Sequence, residues 1–375
     1  MHYKKLTIVS DTAIYCVGNK YYAFGPVVRE IEFIQDMFES ITWIGFESKN
    51  KLNDPSMQEI TSKKIEVLLL KRVGGKGLLS FLNILFQYPK MFIVILKNVF
   101  KADVVHTRSP SHPALIAVFI SFFLKKKKWW NKYAGNWNQK KISLSYSFQR
   151  SLLKKAVFSK VTINGEWEKQ PKHCISFENP CLTANNIKIG KEIVLNKNYE
   201  APFVFTFIGR IEEAKGVDKI VEALKNVRVD KIKKINFIGN GSKLDFYKNE
   251  MSFIGDKIMF FGNISNNEVF SILKDTHFFI LPSKSEGFPK VISEAICYGA
   301  IPIVSNVGSI PQYINSSNGF LWDINSSDKL SDLINNAICS NGLELKRIAL
   351  KANSLSDKFS FKNYYLKLNE LLKKE

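Results

Sequence analysis

Short, continuous apolar runs alternate with helical patterns along the whole chain of 375 residues. In the first half the runs predict strands at Leu6–Ser10, Ile41–Gly45, Ile65–Leu70, Val104–His106, Lys128–Tyr133 and Lys160–Ile163. In the second half they predict strands at Phe203–Ile208, Ile235–Gly239, Ile258–Phe261, Phe278–Leu281, Ile301–Val304 and Gly319–Trp322. Strands buried on both faces have this continuous apolar character, which is typical of parallel sheets. The predicted fold class is therefore α/β, with two Rossmann-like, doubly wound parallel-sheet domains in tandem.

Segments with apolar residues at helical spacing separate these strands. Pro26–Phe38 has this spacing and opens with proline at a first-turn position, which predicts a helix. Lys290–Tyr298 predicts a second helix, because Gly299 follows it at the usual C-terminal position. The tail Phe361–Lys374 predicts a closing helix.

A polar segment rich in Asn and Lys, Thr183–Glu200, predicts the linker between the two domains. Residues 1–182, joined by the closing helix of residues 356–375, then form an N-terminal domain, and residues 200–355 form a C-terminal one. Ligands of doubly wound folds sit at the carboxyl ends of the strands. The cleft between the two domains is therefore the expected site.

The cysteines are odd in number and widely spread, at Cys16, Cys174, Cys181, Cys297 and Cys339. None lies in a C-x-x-C pair or at metal-ligand spacing with histidine, which indicates reduced thiols and a cytoplasmic protein. The N-terminal apolar run is too short for a signal peptide and is expected to be the first strand instead.

The net charge of +20 is uneven. Residues 1–182 carry 28 Lys and Arg against 13 Asp and Glu, a net +15, whereas the remainder carries 26 against 21, a net +5. Two apolar stretches in the first half, Leu78–Phe100 and Pro113–Leu124, are too interrupted or too short to cross a bilayer. A basic half with apolar segments favours docking at the inner face of the cell membrane. Plain solvation of the surface by lysine explains the charge equally well.

Glycines and cations follow the predicted strands of the second half. Gly209, Arg210 and Lys215 come directly after the first of them, and a planar guanidinium beside a compact ammonium suits a diphosphate. Gly241 follows the next strand, and Asn263 and Ile264 follow the one after that. These last two loops carry weak signals, since glycine turns follow strands routinely.

Two carboxylates, Glu286 and Glu294, flank the start of the predicted helix Lys290–Tyr298. A helix N-terminus stabilises phosphate, and carboxylates accept hydrogen bonds from paired sugar hydroxyls. This order predicts a sugar on one side of a diphosphate and a ribose on the other. The competing interpretation is a solvated helix glutamate with a loop carboxylate.

Together these motifs resemble the retaining GT-B glycosyltransferases of family 4, which carry a Glu-x7-Glu signature. The resemblance is specific over about residues 203–320. It implies that two Rossmann-like domains face each other across a cleft. It also implies that the enzyme is metal-independent and needs no cofactor, and that its C-terminal helix crosses back onto the first domain.

By this resemblance, Arg210 and Lys215 neutralise the leaving diphosphate and Glu286 contacts the donor sugar; these three are the expected catalytic residues. Glu294 binds the ribose. The backbone of the turn contacts sugar and phosphate through Gly287, Phe288, Pro289, Lys290 and Val291. The remaining expected donor contacts in this half are Gly209, Gly241, Asn263 and Ile264.

The first half departs from the family pattern. Gly18 stands where many relatives have two glycines after the first strand. Many relatives also have a histidine after a central strand, where this chain has Asn136. His106, at the end of its predicted strand, is the other candidate for that contact.

The predicted function is transfer of a hexose from a nucleotide diphosphate sugar, UDP favoured, to a glycan acceptor. The expected acceptor is lipid-linked and belongs to bacterial surface polysaccharide synthesis. The family implies front-face attack with retained configuration, whereas the two carboxylates leave double displacement open. Rival interpretations are a nucleotide-sugar epimerase, a nucleic-acid-binding protein and a scaffold. Nucleic acid is disfavoured because the motifs fit phosphate and sugar rather than a basic groove with stacking aromatics.

Overall fold

The structure, a computed structural model, describes residues 3–48, 54–73, 78–139, 143–326 and 329–373. The chain forms two compact units, one of residues 1–178 with 365–375 and one of residues 179–364. Each unit is an α/β layer structure with its own parallel sheet, in agreement with the predicted fold class. Among the residues that the structure describes, no helix is both long and apolar enough to span a bilayer.

The first unit is built on a sheet whose parallel strands run in the order β5-β3-β1-β6-β7-β8-β9. Its strands are β1 (Tyr3–Val17), β2 (Lys20–Phe24), β3 (Phe38–Glu47), β4 (Met57–Glu59), β5 (Ile65–Leu70), β6 (Val104–Ser109), β7 (Lys128–Tyr133), β8 (Lys160–Ile163) and β9 (Cys174–Ser176). The order reverses between β1 and β6, as in Rossmann folds.

An antiparallel extension was missed by the sequence patterns. β1 continues past a register shift between Val9 and Ala13, turns at Gly18, and pairs antiparallel with β2, which in turn pairs with β4. Polar Asp11 and Thr12 interrupt the apolar run at the shift, so the pattern predicted a strand that stops at Ser10.

The helices of the first unit are α1 (Gly25–Phe33), α2 (Leu78–Lys101), α3 (His112–Ser121) and α4 (Leu144–Lys155). The predicted helix Pro26–Phe38 was too long. Its last turn is the 3-10 segment Gln35–Met37, because Phe38 adopts an extended backbone, is fully buried and begins β3. Met91, Ile95 and Val99 of α2 pack on one face of the sheet.

The second unit has an all-parallel sheet in the order β12-β11-β10-β13-β14-β15. Its strands are β10 (Phe203–Ile208), β11 (Ile232–Ile238), β12 (Ile258–Gly262), β13 (Phe278–Leu281), β14 (Ile301–Ser305) and β15 (Phe320–Trp322). Numbered within the unit this is the order 3-2-1-4-5-6, which reverses between β10 and β13. Phe207, Phe237 and Phe278 are fully buried in its core, as continuous apolar runs require.

Helices cover this sheet and a closing helix ends the chain. They are α5 (Ala184–Asn196), α6 (Val217–Leu224), α7 (Leu244–Glu250), α8 (Asn266–Asp275), α9 (Lys290–Cys297), α10 (Leu330–Cys339), α11 (Gly342–Asn353) and α12 (Phe361–Lys373). 3-10 segments lie at Glu213–Lys215, Val229–Lys231, Ser252–Lys257, Ile310–Gln312 and Ser356–Phe359. The closing helix agrees with its predicted span; Lys374 and Glu375 lie outside the described residues.

The predicted linker Thr183–Glu200 was wrong, because most of it folds as α5 inside the second unit. Thr183 caps this helix in a reciprocal capping box with Asn186. Ile187 and Val194 are buried against the core of the unit, so the Asn and Lys residues are the solvated face of an amphipathic helix.

The last turns of α12 belong to the first unit. Lys128 of β7 donates to the Leu372 carbonyl at 2.9 Å, and Tyr3 of β1 donates to the same carbonyl at 2.5 Å. Lys367 pairs with Glu178 at 2.5 Å. The chain thus finishes in the unit in which it began.

Candidate functional site

The loops after β10 and β13 flank the reversal point of the second sheet. Ligands of open parallel sheets bind where the strand order reverses, outside the carboxyl ends of the strands. The loop after β10 contains Gly209, Arg210 and the 3-10 segment that ends at Lys215. The loop after β13 contains Glu286 and leads into α9. The structure therefore brings most of the predicted donor-site residues to one edge of this sheet.

Lys215 and Glu286 form a direct ion pair at this edge. The Lys215 Nζ lies 2.5 Å from the Glu286 Oε1, and the two side chains are 23% and 12% exposed. Charge-assisted bonds between partly desolvated groups are stronger than neutral ones. A cation and a carboxylate are thus held side by side, both in reach of solvent.

Arg210 lies on the same loop but is oriented differently. Its guanidinium pairs with Glu212 at 3.0 Å and its side chain is 72% exposed. An exposed pair of this kind contributes little to stability and reorients at small cost. Arg210 therefore stands at the rim of the site, whereas Lys215 is fixed within it.

The loop between β13 and α9 is held by close backbone contacts on both sides. Gly216 has φ +76°, and a Cβ there would lie 2.0 Å from the Pro282 carbonyl oxygen. Gly308, after β14, has φ +58°, and a Cβ would lie 1.9 Å from the Glu286 carbonyl oxygen. Only glycine fits such an approach at positive φ. These contacts fix the backbone that carries Glu286.

Hydrogen bonds complete this framework. The Lys284 N–H donates to the Ala214 carbonyl at 3.0 Å. Ser309 donates to the Gly287 carbonyl through both its N–H, at 3.0 Å, and its hydroxyl, at 2.9 Å. The turn from Gly287 is therefore anchored to the loops before and after it in the fold.

Helix α9 begins from this anchored turn. Pro289 is its N-cap residue, and Lys290 and Val291 form its first turn, so their N–H groups face the carboxyl edge of the sheet. Phe288 is buried and stacks on Phe359 with ring centroids 4.9 Å apart. Its side chain is thus an anchor, and only its backbone faces the site.

Glu294 lies within α9 and is 6% exposed. A solvated helix glutamate, the competing interpretation of this residue, is therefore excluded. Burial of a carboxylate is costly unless it is paired, so such a group is retained for a structural or a binding role. Its neighbourhood includes Cys181 and Cys297, and the pKa of each thiol is raised, chiefly by burial and also by the Glu294 charge.

The loops after β11 and β12 adjoin the same edge. The Ile211 N–H donates to the Asn240 carbonyl at 3.1 Å, and the Gly239 N–H donates to the Gly262 carbonyl at 2.8 Å. A Cβ on Gly241 would lie 2.3 Å from the Ile211 carbonyl oxygen. Asn263 is exposed, and Ile264 packs partly buried on the core.

The site residues predicted in the first unit are not brought together at one edge of a sheet. Gly18 has φ +58°, lies in the exposed turn between β1 and β2, and would meet no atom within 4 Å if a Cβ were added. Asn136 follows β7, where its Oδ1 accepts the Asn138 N–H at 3.0 Å in a local turn. Neither position shows a feature specific to a ligand.

His106 does not end a strand, because β6 runs on to Ser109. The imidazole is 1% exposed, stacks on Trp130 at 3.6 Å and bonds the Trp130 carbonyl through Nδ1 at 3.0 Å. Burial first, and then Arg108, hold its pKa well below the ordinary value, so the ring is neutral. The strand-end placement was wrong, and contact with substrate remains only a prediction.

Gly308 and Ser309 are parts of the site that the sequence patterns did not reveal. A glycine shortly after β14 was a visible signal, but many strands end in such turns. Only the fold places Gly308 and Ser309 beside the Glu286 loop. Within the described ranges, no group of three or more His, Cys, Asp or Glu side chains is placed to hold a metal ion.

Comparisons with known proteins identify similar sequences and a similar fold. Residues 190–353 match the family model described as glycosyl transferases group 1. An uncharacterized glycosyltransferase of Methanocaldococcus jannaschii is 29% identical over 46% of this chain, which spans about half of that relative (48%). An Escherichia coli protein, UDP-Gal:alpha-D-GlcNAc-diphosphoundecaprenol alpha-1,3-galactosyltransferase, is 32% identical over 40% of this chain and 39% of its own length.

The fold is similar to that of the Anabaena protein HepE solved with UDP-glucose. The TM-score is 0.70 at 15% identity, with 99% of both chains covered. At this identity the likeness shows the GT-B fold of two Rossmann-like domains and nothing finer. The family match supports glycosyltransferase activity. Residues 190–353, within the second unit, therefore match the glycosyl transferases group 1 model, and the chain has the GT-B fold.

Proposed function

We propose that this protein transfers a hexose from a nucleotide diphosphate sugar, a UDP-sugar above all, to a glycan acceptor. The observation that carries the proposal is the Lys215–Glu286 pair at the reversal point between β10 and β13. In a sugar nucleotide, the hydroxyls of the sugar and the charged diphosphate lie within a few bonds of each other. An ammonium beside a carboxylate is complementary to that arrangement.

The chemistry requires stabilisation of charge on the departing diphosphate. Lys215 and the first N–H groups of α9 supply fixed positive charge, and Arg210 adds mobile charge at the rim. Glu286 accepts hydrogen bonds from sugar hydroxyls, and Glu294 from the ribose. Backbone from Gly287 to Val291 lines the sugar and phosphate. The proton of the acceptor hydroxyl passes to the leaving phosphate, and the anomeric configuration is retained.

Donor binding is tested by thermal shift with UDP, GDP, ADP and their common sugars on the full chain. UDP and UDP-hexoses are expected to raise the melting temperature most. The product formed from donor and acceptor is then analysed with and without EDTA, and equal rates are expected. Conversion of the donor without any acceptor would support an epimerase instead.

The mechanism is tested with Glu286→Gln. Under front-face attack this variant is slow and carries no sugar, because Glu286 only binds hydroxyls. Mass spectrometry of the wild type and the variant incubated with donor alone checks this. A covalent sugar on any side chain would establish double displacement.

We also propose that the acceptor is lipid-linked and that the first unit rests on anionic membrane lipid at the inner face of the cell membrane. The Escherichia coli relative is named for a diphosphoundecaprenol-linked sugar, which supports this acceptor class. Exposed apolar side chains recur on the outer face of α2 at heptad spacing: Phe86 (70%), Ile93 (51%) and Phe100 (59%). Exposed lysines flank this stripe: Lys90, Lys97 and Lys101.

Helix α3 packs beside α2 and adds to this surface. Phe119 and Phe123 are 48% and 74% exposed, and their rings contact each other at 5.3 Å. Exposed Lys125 and Lys126 follow directly. Aromatic side chains framed by lysines are typical of surfaces that insert at the headgroup level of anionic bilayers.

A flotation assay tests this surface. The wild type is expected to float with vesicles containing phosphatidylglycerol and not with purely zwitterionic vesicles. Ile93→Ser with Phe100→Ser is expected to reduce flotation strongly, whereas the matched control Phe246→Ser in α7, at a side chain that is 56% exposed, leaves it unchanged. Equal flotation of both variants would contradict the proposal.

A further inference from the structure

The first sheet has its own reversal point, between β1 and β6, and it carries a second set of polar side chains. The register shift in β1 and the ends of β5 and β6 lie at the carboxyl edge of this sheet. Asp11 stands at the register shift in β1, Arg72 follows β5, and Arg108 lies near the end of β6. The rule that placed the donor site in the second sheet points to the same edge here.

Buried ion pairs fix the inner part of this cluster. Glu30 of α1 is 1% exposed and accepts from Arg108 at 2.9 Å and from Lys132 of β7 at 2.5 Å. One buried carboxylate therefore holds two cations that come from neighbouring strands. Removing Glu30 leaves both cations without their shared counter-charge, so its position is strongly specified.

Asp11, Tyr88 and His112 form the outer part. The hydroxyl of Tyr88, on α2, lies 2.6 Å from the His112 Nδ1 at the start of α3. Asp11 is exposed, and its carboxyl interacts electrostatically with Arg108, His112 and Arg72. Arg108 thus joins the inner and outer parts into one constellation.

The side chains at this edge indicate the ligand. Arg72 follows β5, Arg108 lies near the end of β6, and both interact with the Asp11 carboxyl, so two guanidinium groups stand at this edge. The imidazole, the phenol and the Asp11 carboxylate add groups that exchange hydrogen bonds with hydroxyls. Arginine forks suit phosphate and carboxylate alike.

We propose that this edge of the first sheet binds an anionic sugar, its charged group against Arg72 and Arg108 and its hydroxyls against Asp11 and His112. The inference rests on the proposed function, in which such a sugar is the acceptor. The anion is a phosphate if the sugar is joined to a lipid carrier through phosphate, or a carboxylate if the sugar is a uronic acid.

The test is saturation-transfer NMR on the full chain, with excess UDP present to occupy the nucleotide site. The probes are N-acetylglucosamine 1-phosphate, glucuronic acid and neutral N-acetylglucosamine. One anionic probe is expected to bind at least about 10-fold more tightly than the neutral sugar, because a charged hydrogen bond contributes about 1.5–3 kcal/mol. Which anionic probe binds distinguishes the phosphate source from the carboxylate source.

Variants localise the binding. Arg72→Met is expected to weaken the anionic probe about 10-fold, whereas Lys71→Met, the same loss of charge at the adjacent exposed residue, changes it less than about 2-fold. Asp11→Asn is expected to weaken the phosphosugar but not inorganic phosphate. Neutral sugar binding as tightly as the anionic probes, or equal losses in Arg72→Met and Lys71→Met, would overturn the inference.

UDP affinity and turnover of donor are measured separately on the same samples. If UDP binds and donor is consumed but no anionic probe binds, this inference fails and the proposed function stands. If the probes bind through Arg72 while UDP does not bind, the proposed function fails and the anionic sugar site stands.

Discussion

The two sheets share a strand order but stabilise their reversal points differently. In the second sheet, glycines such as Gly216 and Gly308 let one loop backbone touch the next, and few side chains are needed. In the first sheet, the edge is held by side chains that are distant along the chain, as in the Glu30–Lys132 pair, 102 residues apart. Under the proposed function, contacts between loop backbones fix the donor site, whereas buried ion pairs fix the edge to which we assign the acceptor.

The largest expected effect concerns the side-chain framework. Glu30→Ala removes the buried carboxylate and leaves Arg108 and Lys132 without its charge, which should cost about 3–5 kcal/mol of unfolding free energy. Urea unfolding measures this. The matched control is Glu59→Ala, which removes the half-buried partner of exposed Lys20 and should cost less than about 1 kcal/mol. Similar losses in both variants would refute a side-chain framework.

The charge pair of the second sheet should act on catalysis rather than on folding. Lys215→Met is expected to lower kcat/KM about 10²–10³-fold, because fixed positive charge opposite the leaving diphosphate is lost. Lys243→Met, which removes the exposed partner of Glu213 on a nearby loop, should change it less than about 3-fold. Steady-state kinetics with a UDP-sugar decide the matter.

Two glycines with the same backbone angle test the backbone framework directly. Gly18 and Gly308 both have φ +58°, but only Gly308 lies against another backbone. Gly18→Ala should lower the free energy of unfolding by about 1–2 kcal/mol, because alanine is strained in the left-handed conformation. Gly308→Ala should cost clearly more and also weaken UDP-sugar binding, since the Glu286 loop must move. Equal losses of unfolding free energy in the two variants, measured with denaturant, would mean that the contact between Gly308 and the Glu286 carbonyl contributes nothing to stability.

A pH effect should arise at the opposite, amino edge of the second sheet. His277 accepts the Val204 N–H through Nδ1 at 3.1 Å and contacts the Asn198 carbonyl through Nε2 at 3.0 Å, which only the neutral ring satisfies. Burial first, and then Lys197, lower the pKa of His277 from 6.5 to about 4. As the pH falls below 6.5, the unfolded chain therefore takes up the proton before the folded one.

The contribution of His277 to stability is thus complete above pH 6.5 and is lost as the pH falls to about 4. Allowing for partial exposure, about 1–2 kcal/mol should be lost relative to His277→Gln, in which nothing titrates. Burial lowers the pKa of Lys197 to about 7, so that group is already protonated across this range. Plots of unfolding free energy against pH that run parallel for the wild type and His277→Gln would contradict this account. Activity at pH 7.5 should be the same in both proteins.

The sequence predicted the second unit better than the first, for physical reasons. Strands such as Phe203–Ile208 and Phe278–Leu281 are buried on both faces, so their apolar runs coincide with their ends. The predicted donor-site residues follow these strands within a few positions, so local order along the chain is enough to place them at one edge of the sheet. The polar composition of Thr183–Glu200 predicts a linker, whereas the spacing of Ile187 and Val194 fits the buried face of α5.

The first unit depended on contacts that no local pattern contains. Nothing near Glu30 in the sequence indicates that it is buried, because its partners lie on β6 and β7. His106 was taken for a strand end because polar Thr107 and Arg108 follow it, yet β6 continues through both. Both the burial of Glu30 and the true end of β6 depend on residues that are distant in sequence, so no local pattern predicts them.

The close contact between Gly308 and the Glu286 carbonyl also limits which substitutions this protein can accept in evolution. Any other amino acid at position 308 brings a Cβ to 1.9 Å from that oxygen, so a single replacement there disturbs the donor loop at once. Arg72 on the other unit is exposed, so a different side chain there meets no such backbone clash. Under the proposed function we therefore expect related enzymes to diverge first at the first sheet.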